Sequence, residues 1–267
     1  MNSSNFSPEI LSMETSTRDD SHLRIRYGDV VKYVIIAPGT LSSDELCLPL
    51  HAIPTLPYHD SAWNTARINR NKETQAELQF SLEHRSLAGV TDIWHSELID
   101  CLGLERVELL TMNTFSCVRK DQLQGPTMIA KVARFSWEIP RLEQETHIYR
   151  LLQHTGITAR FLGHIHEEGR VIGMLLEKLE GSFASIEDLA NCEHTLGRLH
   201  SLGILHGDVN RHNFIVSKDG VKLIDFETCK ETHDTTLLEA EMLRVASELQ
   251  DESGRGAGFM TDDEESD

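Results

Sequence analysis

The chain has 267 residues, 39% of them hydrophobic and 25% charged, which is ordinary for a globular protein and long enough to bury a substantial core. Its formal net charge of −18 excludes binding along a nucleic-acid backbone, which needs clustered Lys and Arg. The five cysteines, Cys47, Cys101, Cys117, Cys192 and Cys229, are scattered with no CxxC pair, so they read as reduced thiols of an intracellular protein rather than as a disulfide frame or a zinc site.

The polar start from Met1 to Asp20 lacks a basic residue followed by an apolar run, so no secretory signal is expected. No apolar run approaches membrane-spanning length. The expected location is the cytoplasm, or the nucleus, with neither a membrane nor a nucleic acid as partner.

Residues 1–21 are rich in Ser, Thr, Asn and acids and are expected to be disordered. The alternating run Leu23-Arg24-Ile25-Arg26-Tyr27 and the β-branched stretch Val30 to Ile36 predict strands. Pro49, Pro54 and Pro57 mark a loop. Residues 61–103 mix weak helical signals with Trp63 and Trp94, so 22–103 reads as an N-terminal extension of no assigned role. From residue 104 the pattern sharpens. Val107 to Thr111, Phe115 to Val118 and Thr127 to Ala133 predict three strands. A helix follows from Ser136, its expected N-cap, to Gln153, with Pro140 in the first turn and Gly156 beyond the end. Phe161 to His166 and Val171 to Glu177 predict two more strands joined at Glu168-Gly169. Glu187 to Ser201 predicts a helix ending at Gly203. Phe214 to Val216 and Val221 to Ile224 predict a hairpin around Lys218-Asp219-Gly220, and Thr235 to Gln250 a last helix. Residues 251–267 read as a disordered acidic tail.

The segment His206-Gly207-Asp208-Val209-Asn210-Arg211-His212-Asn213 and, after it, Leu223-Ile224-Asp225-Phe226-Glu227 carry the chemistry. A strand ending in Asp225 presents one carboxylate. The loop before the preceding strand presents Asp208 and, five positions later, Asn213. Phosphoryl transfer asks for positioning, for metal ions against the phosphates and for a group that orients the attacking hydroxyl. Asp208 can take or orient the hydroxyl proton, and Asn213 and Asp225 are hard oxygen ligands suited to Mg²⁺.

These two motifs resemble the catalytic loop and metal loop of the protein-kinase-like superfamily. The HGD form, and DFE in place of DFG, are most similar to aminoglycoside and choline phosphotransferases and to the small atypical kinases of the RIO and KEOPS kinds. The stretch from Trp137 onward also resembles a group of short kinase-like proteins from filamentous fungi, with which the surroundings of Trp63-Asn64 and Trp94-His95 are shared. The resemblance implies an α+β, two-lobed kinase-like core over residues 104–250, with an N-lobe at 104–177 and a short C-lobe at 180–250. It implies ATP and Mg²⁺ as cofactors, and Lys131 as the lysine that meets the α- and β-phosphates and a helix glutamate. Glu143 and Glu145 compete for that lysine. Leu142, Glu145, Tyr149 and Leu152 share the apolar face, and a glutamate on that face wants a partner, so Glu145 is chosen. Glu177 and Leu179 fall where such a hinge would hold adenine.

The sequence also departs from the family. Met112-Asn113-Thr114-Phe115-Ser116 stands where a Gly-rich loop would lie, and it holds no glycine. Gly207 replaces the arginine of the catalytic loop, and about forty residues follow Asp225. His164 and His166, two apart on a strand, lack a third ligand at clear spacing, and His206 reads as structural. Two functions follow: a kinase acting on a protein Ser/Thr or a small-molecule hydroxyl, with room for a protein partner, or a pseudokinase that acts as a binding or scaffold module.

Overall fold

In the first 88 residues the alternating and β-branched runs become the centre of a five-stranded sheet. The computed structural model describes residues 6–71 and 77–254, and it divides the chain into Met1–Ala88 and Gly89–Asp267. In the first unit, β1 (Glu9–Glu14), β2 (Ser21–Tyr27), β3 (Val30–Ile36), β4 (Thr65–Arg70) and β5 (Leu78–Glu83) lie in that order. Neighbours run antiparallel, apart from the parallel pair β3 and β4. Gly28 turns the chain between β2 and β3 at φ +62°, a conformation that glycine enters at no steric cost.

Two expectations are corrected here. Residues 9–14 are a strand, not disordered chain. Composition misleads because a strand takes its hydrogen bonds from a neighbour, here β2, and Ile10 packs on the core. Residues 1–5 lie outside the described residues. The proline stretch is not all loop either. It folds into α1 (Ser43–Cys47), capped by Ser42, and α2 (Pro49–Ala52), where Pro49 takes the first-turn place that needs no N–H donor. Trp63 is 1% exposed and belongs to this core, its Nε1 donating to the Pro57 carbonyl at 3.1 Å.

The second unit holds a six-stranded sheet. Its strands are β6 (Leu98–Asp100), β7 (Leu104–Leu109), β8 (Thr114–Arg119), β9 (Met128–Val132), β10 (Phe161–Glu167) and β11 (Arg170–Glu177), in the order β6-β10-β11-β9-β8-β7. Only β6 with β10 is parallel. Residues 89–103, grouped with the extension on sequence, fall in this unit. The Val90 amide donates to the Val171 carbonyl at 2.9 Å, the Thr91 amide to Glu143 at 3.0 Å and the Trp94 indole to the Thr146 carbonyl at 3.1 Å. A three-residue strand whose partner lies more than sixty positions away leaves no periodic trace.

Helix α3 (Ile139–Leu151) follows β9 through a 3₁₀ turn at Ser136–Glu138. Ser136 therefore opens that turn and is not the cap of α3. The turn is closed instead by Glu138, whose carboxylate accepts from the amides of Arg134 at 2.5 Å and Phe135 at 3.1 Å. Beyond β11 come β12 (Ser182–Phe183), α4 (Leu189–Ser201), β13 (Ile204–Leu205), β14 (Phe214–Ser217), β15 (Gly220–Leu223), β16 (Lys230–Glu231) and α5 (Thr235–Leu249). β12, β14 and β15 form one small sheet, and β13 and β16 another. Ile148, Tyr149, Ile165, Met174, Leu196, Phe214, Leu223 and Phe226 are buried in one cluster of this unit. The architecture is mixed α+β. Among the described residues no helix is long and apolar enough to cross a membrane. Of the expected acidic tail, residues 251–254 carry no regular structure and residues 255–267 lie outside the described ones.

Candidate active site

Lys131 lies on β9 between β8 and β11, and its side chain is 10% exposed. Its Nζ stands 2.8 Å from each of three carboxylates: Glu145 Oε2, Asp225 Oδ1 and Glu227 Oε1. Glu145 reaches it from the inner face of α3, beside Leu142 and Tyr149, and its other oxygen accepts from the Phe226 amide at 3.2 Å. Glu143 points elsewhere and holds the Thr91 and Asp92 amides. The carboxylates of Glu145, Asp225 and Glu227 lie within 4.8 Å of one another.

Burial alone would lower the Lys131 pKa, but Glu145, Asp225 and Glu227 outweigh it and hold the ammonium well above its ordinary value. Burial pushes Glu145 up to about 7 against the pull of Lys131. For Asp225 the balance runs the other way: burial raises it, but Lys131 prevails and holds it below the usual carboxylate range. Asp225 also has a φ of +63°, a sparsely populated conformation of the kind that collects at functional sites.

Asp208 is held by the loop around it. The Asn213 side-chain amide donates to the Asp208 carbonyl at 2.8 Å, and the Asn213 amide to the Asn210 carbonyl at 3.1 Å. Ile224, the residue before Asp225, is bonded on both sides. Its amide donates to the Asn213 carbonyl at 3.0 Å, and its carbonyl accepts from His206 Nε2 at 3.1 Å. His206 is fully buried, and burial lowers its pKa, so it is a neutral strut between the two motifs. Asp208, Asn213 and Asp225 are thus linked through the chain's own hydrogen bonds. The Asn213 Oδ1 accepts nothing among the described residues, and the donor set of Asn213 and Asp225 is hard oxygen, so these residues fit Mg²⁺.

Glu177 and Leu179 lie apart from this cluster. The Glu177 carboxylate accepts from the Arg160 amide and Nε at 3.2 Å, and its amide donates to the Arg160 carbonyl at 2.9 Å. Leu179 packs at the border of the core, and its amide has no partner among the described residues.

Sequence reasoning missed two residues. Glu227 stands in plain view after Asp225-Phe226, yet only the fold shows it against Lys131. Glu241 of α5 carries no motif. It is 1% exposed, and it accepts from the Gly207 amide at 2.6 Å and the His206 amide at 3.0 Å while meeting His200 Nε2 at 2.7 Å. A signal existed: Glu241, Val245 and Leu249 share one helix face by the i, i+4, i+8 rule, and a glutamate on an apolar face needs partners. The structure also explains Gly207. Its φ is +85°, and a Cβ there would lie 2.7 Å from the Thr228 carbonyl oxygen, so an arginine does not fit. His164 is buried between Trp94 and Phe161, accepting weakly from the His95 amide at 3.4 Å.

Residues 171–244 match the family described as lipopolysaccharide core biosynthesis protein (WaaY). A curated relative, the lipopolysaccharide core heptose(II) kinase WaaY of Escherichia coli, is 35% identical over 91 residues, which covers 29% of this chain and 38% of that protein. The chain therefore matches well under half the length of this relative. The likeness supports the protein-kinase-like superfamily. The matched stretch holds Glu177, Leu179, Asp208, Asn213, Asp225, Glu227 and Glu241, and leaves out Lys131 and Glu145.

Proposed function

We propose that this chain is an ATP- and Mg²⁺-dependent kinase that transfers the γ-phosphate of ATP to a hydroxyl of a small molecule, with a sugar as the favoured class of acceptor. The observation that carries the reading is the hydrogen-bonded link from Asp208 through Asn213 and Ile224 to Asp225, whose carboxylate is met by Lys131, itself paired with Glu145. The sugar is favoured over a protein Ser/Thr because the relative with the matching stretch is a heptose kinase. A two-lobed arrangement, with Glu177 and Leu179 facing adenine, belongs to this proposal.

In this reading Asp208 accepts the acceptor's hydroxyl proton and aims the oxygen at the γ-phosphorus. Asn213 Oδ1 and Asp225 would hold Mg²⁺, which would supply the positive charge that neutralises the phosphates. Glu145 fixes Lys131, and Lys131 exchanges its contacts with Asp225 and Glu227 for phosphate oxygens. The attacking oxygen forms its bond to phosphorus as the bond to the β-phosphate oxygen breaks, and ADP leaves. His206 and Glu241 keep the Asp208 loop in place.

A second reading, a module that no longer turns over, draws on the saturation of Lys131 by three carboxylates. One experiment separates the two. The purified chain is titrated with ATP, with and without Mg²⁺, beside Asp225→Ala, and its thermal stability is followed. A ligand at a hundredfold excess over its Kd stabilises the folded state by about 2.7 kcal/mol. Mg²⁺-dependent stabilisation that is lost in Asp225→Ala, with sugar phosphorylation lost in Asp208→Asn, supports the kinase. No shift at millimolar ATP overturns it.

A further inference from the structure

We propose that Arg141, on the first turn of α3, is a phosphate-binding residue for the nucleotide's terminal phosphates, in the place of the missing glycine-rich loop. The inference deepens the kinase reading and rests on it.

Three observations carry it. The first is the turn between β7 and β8. In kinase-type sites a flexible glycine loop lays its amides over the phosphates. Here the turn is closed on itself and stapled to the sheet. The amides of Leu110 and Thr111 both donate to the Thr114 carbonyl at 3.0 Å. The Val132 amide donates to the Asn113 carbonyl at 2.8 Å. The Asn113 side-chain oxygen takes the hydroxyls of Thr111 at 2.9 Å and Thr114 at 3.3 Å. These bonds hold the turn in shape and already engage the Leu110 and Thr111 amides.

The second observation is the charge of Lys131. Its ammonium faces Glu145, Asp225 and Glu227 at once, so the carboxylates outnumber the one cation. A triphosphate meeting this cluster is repelled unless other positive charge is supplied. The third is the position of Arg141. A small open cleft of about 60 Å³ is lined by Asn113, Lys131, Glu138, Arg141 and Glu227. Lys131 is saturated and Glu138 is paired with Arg134 at 2.5 Å. Arg141 has no hydrogen bond or ion pair among the described residues, so it is the uncommitted cation of the cleft. Its guanidinium offers several N–H donors in a planar fork that matches phosphate oxygens.

The test is calorimetric binding of three probes, ATP, inorganic tripolyphosphate and adenosine, to the full chain and to Arg141→Gln and Arg141→Lys, with melting temperatures as a folding control. Arg141 is exposed, so both variants are expected to melt with the parent chain. The expected result is a loss of roughly tenfold or more in ATP and tripolyphosphate affinity in Arg141→Gln, partial recovery in Arg141→Lys, and unchanged adenosine affinity. If the parent binds ATP and Arg141→Gln binds it equally well, the inference fails and the kinase reading stands. If the parent binds tripolyphosphate through Arg141 but not ATP, Arg141 binds phosphate but its assignment to a nucleotide and the kinase reading both fail. Binding of neither probe overturns both. A sugar phosphate that displaces tripolyphosphate while ATP does not would move the phosphate from nucleotide to acceptor and overturn the assignment made here.

Discussion

Glu227 Oε1 lies 2.8 Å from Lys131 Nζ, as close as the helix glutamate Glu145. The residue after Asp225-Phe226 is commonly glycine in protein kinases, and here it supplies a third carboxylate to the lysine. Any nucleotide phosphate that reaches Lys131 competes with Glu227. Glu227→Gln removes that competitor and one charge, so metal-free ADP is expected to bind about fivefold more tightly, on the order of 1 kcal/mol for a screened charge at short range. Calorimetry in EDTA measures it. Unchanged or weaker binding shows that Glu227 does not compete for the lysine.

Lys131→Met leaves the buried Glu145 beside two further carboxylates without a cation, and a broken buried pair costs roughly 3 kcal/mol. The double variant Lys131→Met, Glu145→Met is expected to regain part of this, because the uncompensated charge is gone. Denaturant unfolding of the two single variants and the double measures the coupling. Simple additivity means that the two side chains do not depend on each other.

Glu241→Gln turns one acceptor oxygen into an N–H₂ that faces the His206 or Gly207 amide, and Glu241→Ala removes both acceptors. The alanine variant is expected to lose about 2–4 kcal/mol of stability and the glutamine variant less. At temperatures where both remain folded, phosphotransfer is expected to fall with little change in nucleotide affinity, since Glu241 holds the loop of Asp208. A parallel loss of nucleotide affinity would place Glu241 in binding instead.

His164 introduces a pH dependence. Burial, with His95 nearby, pushes its pKa down to about 4 from an ordinary 6.5. The unfolded chain then binds the proton more readily than the folded one, so the contribution of His164 is fully present above pH 6.5 and is lost as the pH falls toward 4. At its fullest it amounts to about 2–3 kcal/mol. Glu145, raised to about 7, carries the opposite sign and loses stability as the pH rises from 4.5 to 7. The difference between the parent and His164→Gln therefore isolates the histidine. Parallel stability profiles from pH 4 to 7 would show that its protonation is not coupled to folding.

The strands from 21 to 36, the hairpin of β14 and β15 and helices α3 to α5 were legible because their signals are local. Period-2 and period-3.6 patterns, turn glycines and short loops fix them without reference to distant chain. The choice of Glu145 over Glu143 was legible for a related reason, since helix spacing places one of the two on the apolar face. Residues 9–14 and 89–103 were misread because their order comes from partners elsewhere: β2 for the first, and Glu143, Val171 and β10 for the second.

The sequence by itself determined which residues could act: Asp208, Asn213 and Asp225 stand in two short motifs whose residue types suit the phosphoryl transfer proposed here. Only the tertiary structure decided what surrounds them. Glu227 reaches Lys131 across ninety-six positions of chain, Glu241 reaches the Gly207 amide across thirty-four, and Arg141 shares a cleft with Lys131 and Asn113. A carboxylate's role depends on which charge or amide it meets within about 3 Å. When that neighbour is distant in sequence, folding alone brings it there.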